Sequence, residues 1–269
     1  MLSRCRPLLG TFVEISAGGE AAIERAYAAV ERVHRLMSAH EPESDVSRIN
    51  RFAHRVSVEV DDWTVAVLRR AQFWSQQSDG AFDVVRAGKL ALAGGYLPRP
   101  ADQPEAQAGN WAELQLDGNT VRLAKAACVD VGGIAKGFAV DRAVEALRSC
   151  GADYGLINAG GDLAGFGREW RAAIPHGHTR REIVELIVRD DAVATSGLLP
   201  DGTGSHLPDR DATYLSASVR APTCIDADAL VKVLISRSDR ASHCLSLVGG
   251  DGLVITRSGS IETIERLAA

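Results

Sequence analysis

The chain has 269 residues, 46% of them hydrophobic, and a formal net charge of -5; that is enough apolar material for a full core, and nucleic acid is disfavoured because no Lys/Arg cluster falls on one predicted face. Its five cysteines (Cys5, Cys128, Cys150, Cys224, Cys244) are scattered without C-x-x-C spacing, which excludes a disulfide framework and a cysteine zinc site. No apolar run reaches membrane-spanning length, and Arg4 and Arg6 are not followed by the apolar stretch of a signal peptide, so the chain reads as cytoplasmic with no membrane span.

Leu8 to Ile15 reads as a strand closed by Gly18 and Gly19, and a strongly amphipathic helix follows. Ile23, Val30, Val33 and Met37 form its apolar stripe, with His34 at the edge of the core. Ser38 to Asn50 is a polar loop in which Pro42 and Ser44 favour turns. Asp61 or Asp62 caps a second helix with Val67, Leu68, Ala71 and Trp74 inward, and Ser78-Asp79-Gly80 stops it. Leu97 to Asn110, with three prolines, reads as a surface loop; Leu114 to Leu123 is a hairpin turning at Asp117-Gly118-Asn119.

Cys128 to Gly167 carries most of the chemistry. A short apolar run, Val129 and Val131, ends in Gly132 and Gly133, and a helix then begins on which Val140, Val144 and Leu147 recur; Gly151 suits its C-cap. A second strand, Gly155 to Ala159, runs into Gly160, Gly161 and Asp162. Glycines at a strand-to-helix turn let backbone amides approach an anion, and Lys136 lies in the first helical turn, so this is either a phosphate site or plain turn chemistry. Neither the Walker nor the Rossmann spacing is met.

Beyond it, Trp170 to Ile174, Glu182 to Val188 and Thr213 to Val219 read as strands, and Ala221-Pro222-Thr223 opens a helix on which Asp228 and Lys232 share a face. His176 and His178 read as a surface turn rather than a metal site. Cys244 to Val248, Leu253 to Thr256 and Ile261 to Ile264 read as strands finishing a sheet.

The string G-G-I-A-K-G after Asp130, then A-V-D and N-A-G-G-D, resembles the FAD:protein FMN transferase (ApbE-type) family, and the likeness extends from Pro7-Leu8-Leu9-Gly10-Thr11 to the helix of Asp228. It implies a single α+β domain over 1–269, with mixed sheets and helices and the site in a cleft between two lobes. It implies transfer of FMN from FAD to a serine or threonine of an acceptor flavoprotein, with Mg²⁺. Many members of this family are exported, which departs from the cytoplasmic reading. By resemblance Asp130, Gly133, Ala135 and Lys136 line the nucleotide and Asp162 closes the site. Ser78 to Val84 resembles the segment T-D-G-A-F-D, placing Ala81, Phe82 and Asp83 at the flavin, and His40 stands where the family commonly has an aromatic residue. Thr195 and Ser196 belong to A-T-S-G. His206 is the candidate base, in Ser205-His206-Leu207-Pro208-Asp209, although the family has proline and arginine after that aspartate and this chain has Arg210-Asp211.

Asp228 and the carbonyl of Ala135 correspond to metal ligands. The third ligand of the family is a threonine hydroxyl one turn later, where this chain has Lys232. An ammonium cannot ligate Mg²⁺ and is repelled by it. Either Lys232 pairs with Asp228 and stands in as the cation, or it swings away and leaves a weaker metal site; a plain helix pair would contribute only a few tenths of a kcal/mol, roughly. The first outcome is the expected one, with FAD bound and transfer slow or absent. The readings that follow are the transferase, an FAD- or FMN-binding paralogue with weak or no transfer, and a pyrophosphatase splitting FAD with water.

Overall fold

The computed structural model describes residues 1–98, 105–107, 109–176, 182–197, 214–236, 238–256 and 258–264. The chain forms two compact units, one of Met1–Glu31 with Lys136–Ala269 and one of Arg32–Ala135. Helices and antiparallel sheets are mixed, as an α+β fold requires.

The first unit is built on an eight-stranded sheet. Its strands are β1 (Leu2–Leu8), β2 (Thr11–Ala17), β6 (Gly155–Ala159), β7 (Asp162–Phe166), β10 (Asp191–Gly197), β11 (Tyr214–Ala221), β12 (Asp251–Thr256) and β13 (Ile261–Ile264), adjacent in that order. The register decides what each face carries, because side chains alternate along a strand. Val13 pairs with Ala159, Ala159 with Asp162, Ala164 with Ala192, and Ser196 with Ala217. One face therefore holds Val13, Ile15, Ile157, Ala159, Ala164, Ala192, Ala194, Ala217 and Val219, all buried.

Helices α5 (Ala135–Ser149) and α6 (Cys224–Ile235) cover that face. Small residues let them sit close. A Cβ on Gly155 would come within 2.6 Å of Leu147, and one on Gly252 within 2.5 Å of Leu234. Helix α6 is apolar nearly all round (Ala227, Ala229, Leu230, Val231, Val233, Leu234), as a helix buried on every side must be. The opposite face is covered by the ribbon β8 (Trp170–His176) and β9 (Glu182–Val188), where Leu163, Val193, Trp170, Ala172 and Val188 form a second core.

The second unit holds α2 (Asp45–Phe52), α3 (Asp62–Gln77), α4 (Val84–Ala93) and a small sheet in the order β3 (Val58–Glu59), β5 (Thr120–Leu123), β4 (Leu114–Asp117). Asp61 caps α3 by accepting the Trp63 amide, and Gly118, at φ +54, opens the two-residue turn of the β4–β5 hairpin. The end of α1 (Glu20–Met37), from Arg32 onward, falls in this unit by sequence and the rest of that helix in the other.

Four local expectations are corrected. The strand expected over Leu8 to Ile15 is broken at Leu9-Gly10, whose φ values of +56 and +72 make the tight turn of a β1–β2 hairpin. The loop expected over Ser38 to Asn50 contains α2, because Ser44 caps it by accepting the Ser47 amide at 3.1 Å and Val46 and Ile49 are fully buried at helical spacing. Cys128 to Val131 forms no strand. Its backbone is held by a side chain: Asn50 donates to the Val129 carbonyl at 3.0 Å and accepts the Val129 amide at 2.7 Å. Cys244 to Val248 belongs to helix α7 (Ala241–Val248), closed by Gly249 at φ +64. Helix α4 has no counterpart among the elements expected from the sequence. Among the described residues no helix is long and apolar enough to cross a membrane.

Candidate functional site

The register of the sheet sets Asp162, the first residue of β7, and Ser196, near the end of β10, on the face that α5 and α6 cover. Both side chains meet lysines from those helices. The Lys136 ammonium, in the first turn of α5, contacts Asp162 Oδ2, and Lys232, in the last turn of α6, donates to Ser196 Oγ at 2.6 Å and to Asp228 Oδ1 at 3.2 Å. The second oxygen of Asp228 accepts the Gly137 amide at 3.0 Å.

Burial makes the cluster electrostatically tight. Asp162 and Asp228 are wholly buried, whereas Lys136 and Lys232 keep 30% and 27% of their side chains exposed. Burial alone would raise the Asp228 carboxyl, but Lys136, Lys232 and the Gly137 amide outweigh it and hold the group below the ordinary carboxylate value. Burial draws Lys136 below the ordinary lysine value, Asp228 opposes this, and the like charge of Lys232 adds to it. An ammonium has three hydrogens, so both lysines retain donors toward accessible space after their protein contacts are made.

Two further groups tie the cluster to the fold. At Gly137 the backbone of α5 lies against the start of α6: a Cβ there would meet the Cys224 carbonyl oxygen at 2.2 Å. Asp141, one turn later on α5, accepts the amides of Cys224 and Ile225 at 2.8 Å each, capping α6 from outside that helix. Burial pushes the Asp141 carboxyl up to about 7, against the two amide bonds that favour its ionised form.

The sequence-predicted residues divide clearly. Lys136, Asp162, Ser196, Asp228 and Lys232 come together. Thr195 points to the other face of β10, its hydroxyl 2.9 Å from Ser218 Oγ, while its amide lies 3.4 Å from Asp162 Oδ1. Asp130 accepts the Gly132 amide at 2.8 Å, which shapes the turn that Gly133 continues toward Ala135 at the start of α5. Asp83 is the N-cap of α4, accepting from Val85, Arg86 and Trp111; Phe82 is buried, Ala81 half-buried and His40 exposed. His206, Ser205 and Asp209 lie outside the described residues, as does His178. Ser218 is not among the residues the sequence points to; Asp141 enters only as the last residue of the A-V-D string, four residues after Gly137 on the same helical face, with no role assigned to it.

A magnesium ion does not fit Asp228 in this arrangement. One oxygen carries the Lys232 ammonium and the other the Gly137 amide, and a cation on this carboxylate would meet the positive charge of Lys232 at close range. Among the described residues no three His, Cys, Asp or Glu side chains gather in a way that could hold a metal.

Residues 9–246 match the profile of the ApbE family. The FAD:protein FMN transferase of Treponema pallidum is 28% identical over 276 residues, covering 85% of this chain and 76% of the relative. That of Vibrio cholerae is 28% identical over 238 residues, covering 77% and 70%. Among solved structures, the flavin transferase ApbE from Vibrio cholerae has a TM-score of 0.80 at 23% identity, covering 98% of this chain and 96% of its own. The ApbE protein from Thermotoga maritima has a TM-score of 0.81 at 23% identity, covering 97% and 96%. The solved structures fix the fold, and the profile match over most of the sequence fixes the lineage: this chain belongs to the ApbE family.

Proposed function

We propose that the chain is an FAD:protein FMN transferase, taking FAD and an acceptor flavoprotein as substrates. The observation that carries the reading is the Asp162–Lys136 and Asp228–Lys232 cluster at the opening turn of α5, in a chain whose curated relatives bear that activity as their name. In the reaction the hydroxyl oxygen of an acceptor serine or threonine attacks the FMN phosphorus of FAD. The new P–O bond forms as the bond from that phosphorus to the bridging oxygen breaks. AMP leaves with the electron pair, and the hydroxyl proton passes to a base.

His206 is the proposed base. Lys136 and Lys232 direct their remaining N–H donors at the diphosphate, where charge shifts to the bridging oxygen, and Asp162 and Asp228 hold the two ammoniums in place. Asp130, Gly133, Ala135 and Ser196 remain proposed nucleotide contacts, and His40, Ala81, Phe82 and Asp83 proposed flavin contacts; Thr195, whose hydroxyl faces Ser218 on the other side of the sheet, is left out of the set. No step is assigned to Mg²⁺.

A test can be run with the acceptor unidentified. FAD and the purified chain are incubated with a flavin-stripped extract of the source organism; covalent flavin is then read as fluorescence surviving a denaturing gel, and AMP by chromatography. A fluorescent band with matching AMP supports the transferase. AMP without covalent flavin would assign the pyrophosphatase, binding without either product the paralogue, and no binding would overturn the reading.

A further inference from the structure

The two lysines of the cluster differ from a surface pair in how they are held. Lys232 bridges a strand hydroxyl and a wholly buried carboxylate, at 2.6 Å from Ser196 Oγ and 3.2 Å from Asp228 Oδ1, and so is anchored at two points. It is four residues from Asp228 on a helix that is buried all round, which leaves the long side chain few other paths. Among the described residues the Asp228 carboxylate has no other cation to neutralise it except Lys136, whose ammonium is already on Asp162. Removing Lys232 would therefore leave a buried carboxylate undercompensated, and a small divalent cation is what such a vacancy would draw.

We propose that Lys232 is the resident cation of this site, so that the chain holds a diphosphate with two lysine ammoniums and without a divalent metal. This rests on the flavin reading of the preceding subsection and deepens it. Lys136 and Lys232 each keep at least one N–H donor after their protein contacts and about a quarter of their side chains exposed, as a group that meets a phosphate oxygen must. The two carboxylates cancel their formal charge but do not consume their donors. Recognition is then by directed, charge-assisted hydrogen bonds, and chelators should leave it untouched.

FAD affinity, followed by quenching of flavin fluorescence, tests this in EDTA and in millimolar Mg²⁺. The wild-type Kd should change by less than about twofold between the two conditions. Lys232→Thr should bind about tenfold more weakly in EDTA, the loss expected for one charge-assisted hydrogen bond, and should recover on addition of Mg²⁺. Lys232→Met, which offers no oxygen, should lose the same affinity and not recover it. Circular dichroism of each variant establishes that it is folded, and the wild-type comparison stands even where a variant is not. Wild-type binding that requires Mg²⁺ would overturn the inference while leaving the flavin reading intact, and so would a Lys232→Thr protein that binds like wild type in EDTA. No FAD binding under any condition would overturn the flavin reading itself.

Discussion

A methyl group on Gly137 would lie 2.2 Å from the Cys224 carbonyl oxygen and 2.9 Å from Asp228 Cβ, so the hydrogen at this position is what lets the Gly137 amide reach Asp228. Gly137→Ala should cost about 1–3 kcal/mol in chemical denaturation, the usual cost of overpacking, and should weaken FAD binding because the shift is delivered directly to Asp228. A variant of wild-type stability would mean that α5 and α6 can part at no cost. Residue by residue, the members of the cluster were legible: Lys136, Asp162, Ser196, Asp228 and Lys232 all lie in stretches the sequence singles out, and all meet in the structure. The roles of Asp141 and Ser218 were not legible. Their partners, the Cys224 and Ile225 amides and the Thr195 hydroxyl, are far away in sequence, and an aspartate in an alanine-rich helix looks solvated until a second helix is packed on it.

At the scale of single elements, caps decide more than propensity. Asp141 is the clearest case, because the cap it provides titrates. In the folded protein it keeps its proton up to about 7, whereas in the unfolded chain it ionises near 4, roughly the reference value. The unfolded state therefore gives up its proton first. Stability should fall as pH rises from about 4 to about 7, by at most about 1.4 kcal/mol per pH unit, and the slope should end above that range. Asp141→Asn should remove this part of the slope in denaturation curves taken across the range; an unchanged slope would assign the titration to another group.

Asp83 gives a second test on α4. With three amides on one buried carboxylate, Asp83→Ala should lower stability by about 2 kcal/mol, the upper end for an N-cap. A protein whose thermal unfolding is unchanged would show the cap to be dispensable. Capping also explains which elements the sequence pattern misses. Helix α2 is only eight residues long and mostly polar, so its two buried apolar positions are too few to outweigh Pro42 and the serines. Helix α7 is short and apolar, and a run of that kind has no period that separates it from a strand.

For the molecule as a whole, the fold class was legible because the long elements carry strong periods: α1, α3, α5 and the strands β6, β8, β9, β11 and β12 are each indicated by pattern or glycine punctuation. The order of the eight-stranded sheet was not, since β2 pairs with β6 across a long stretch of intervening chain that forms α1, the whole second unit and α5. That long-range pairing is also what makes the site. It brings the β6–β7 turn, with Asp162, and the end of β10, with Ser196, onto one face, and α5 and α6 then deliver Lys136 and Lys232 to them. The proposed function therefore stands or falls on where the diphosphate of FAD binds. Phosphorus NMR of FAD with stoichiometric chain tests this most directly. Both diphosphate resonances should shift or broaden with wild type and return toward the free positions with Lys136→Met; resonances unmoved while flavin fluorescence reports binding would contradict it.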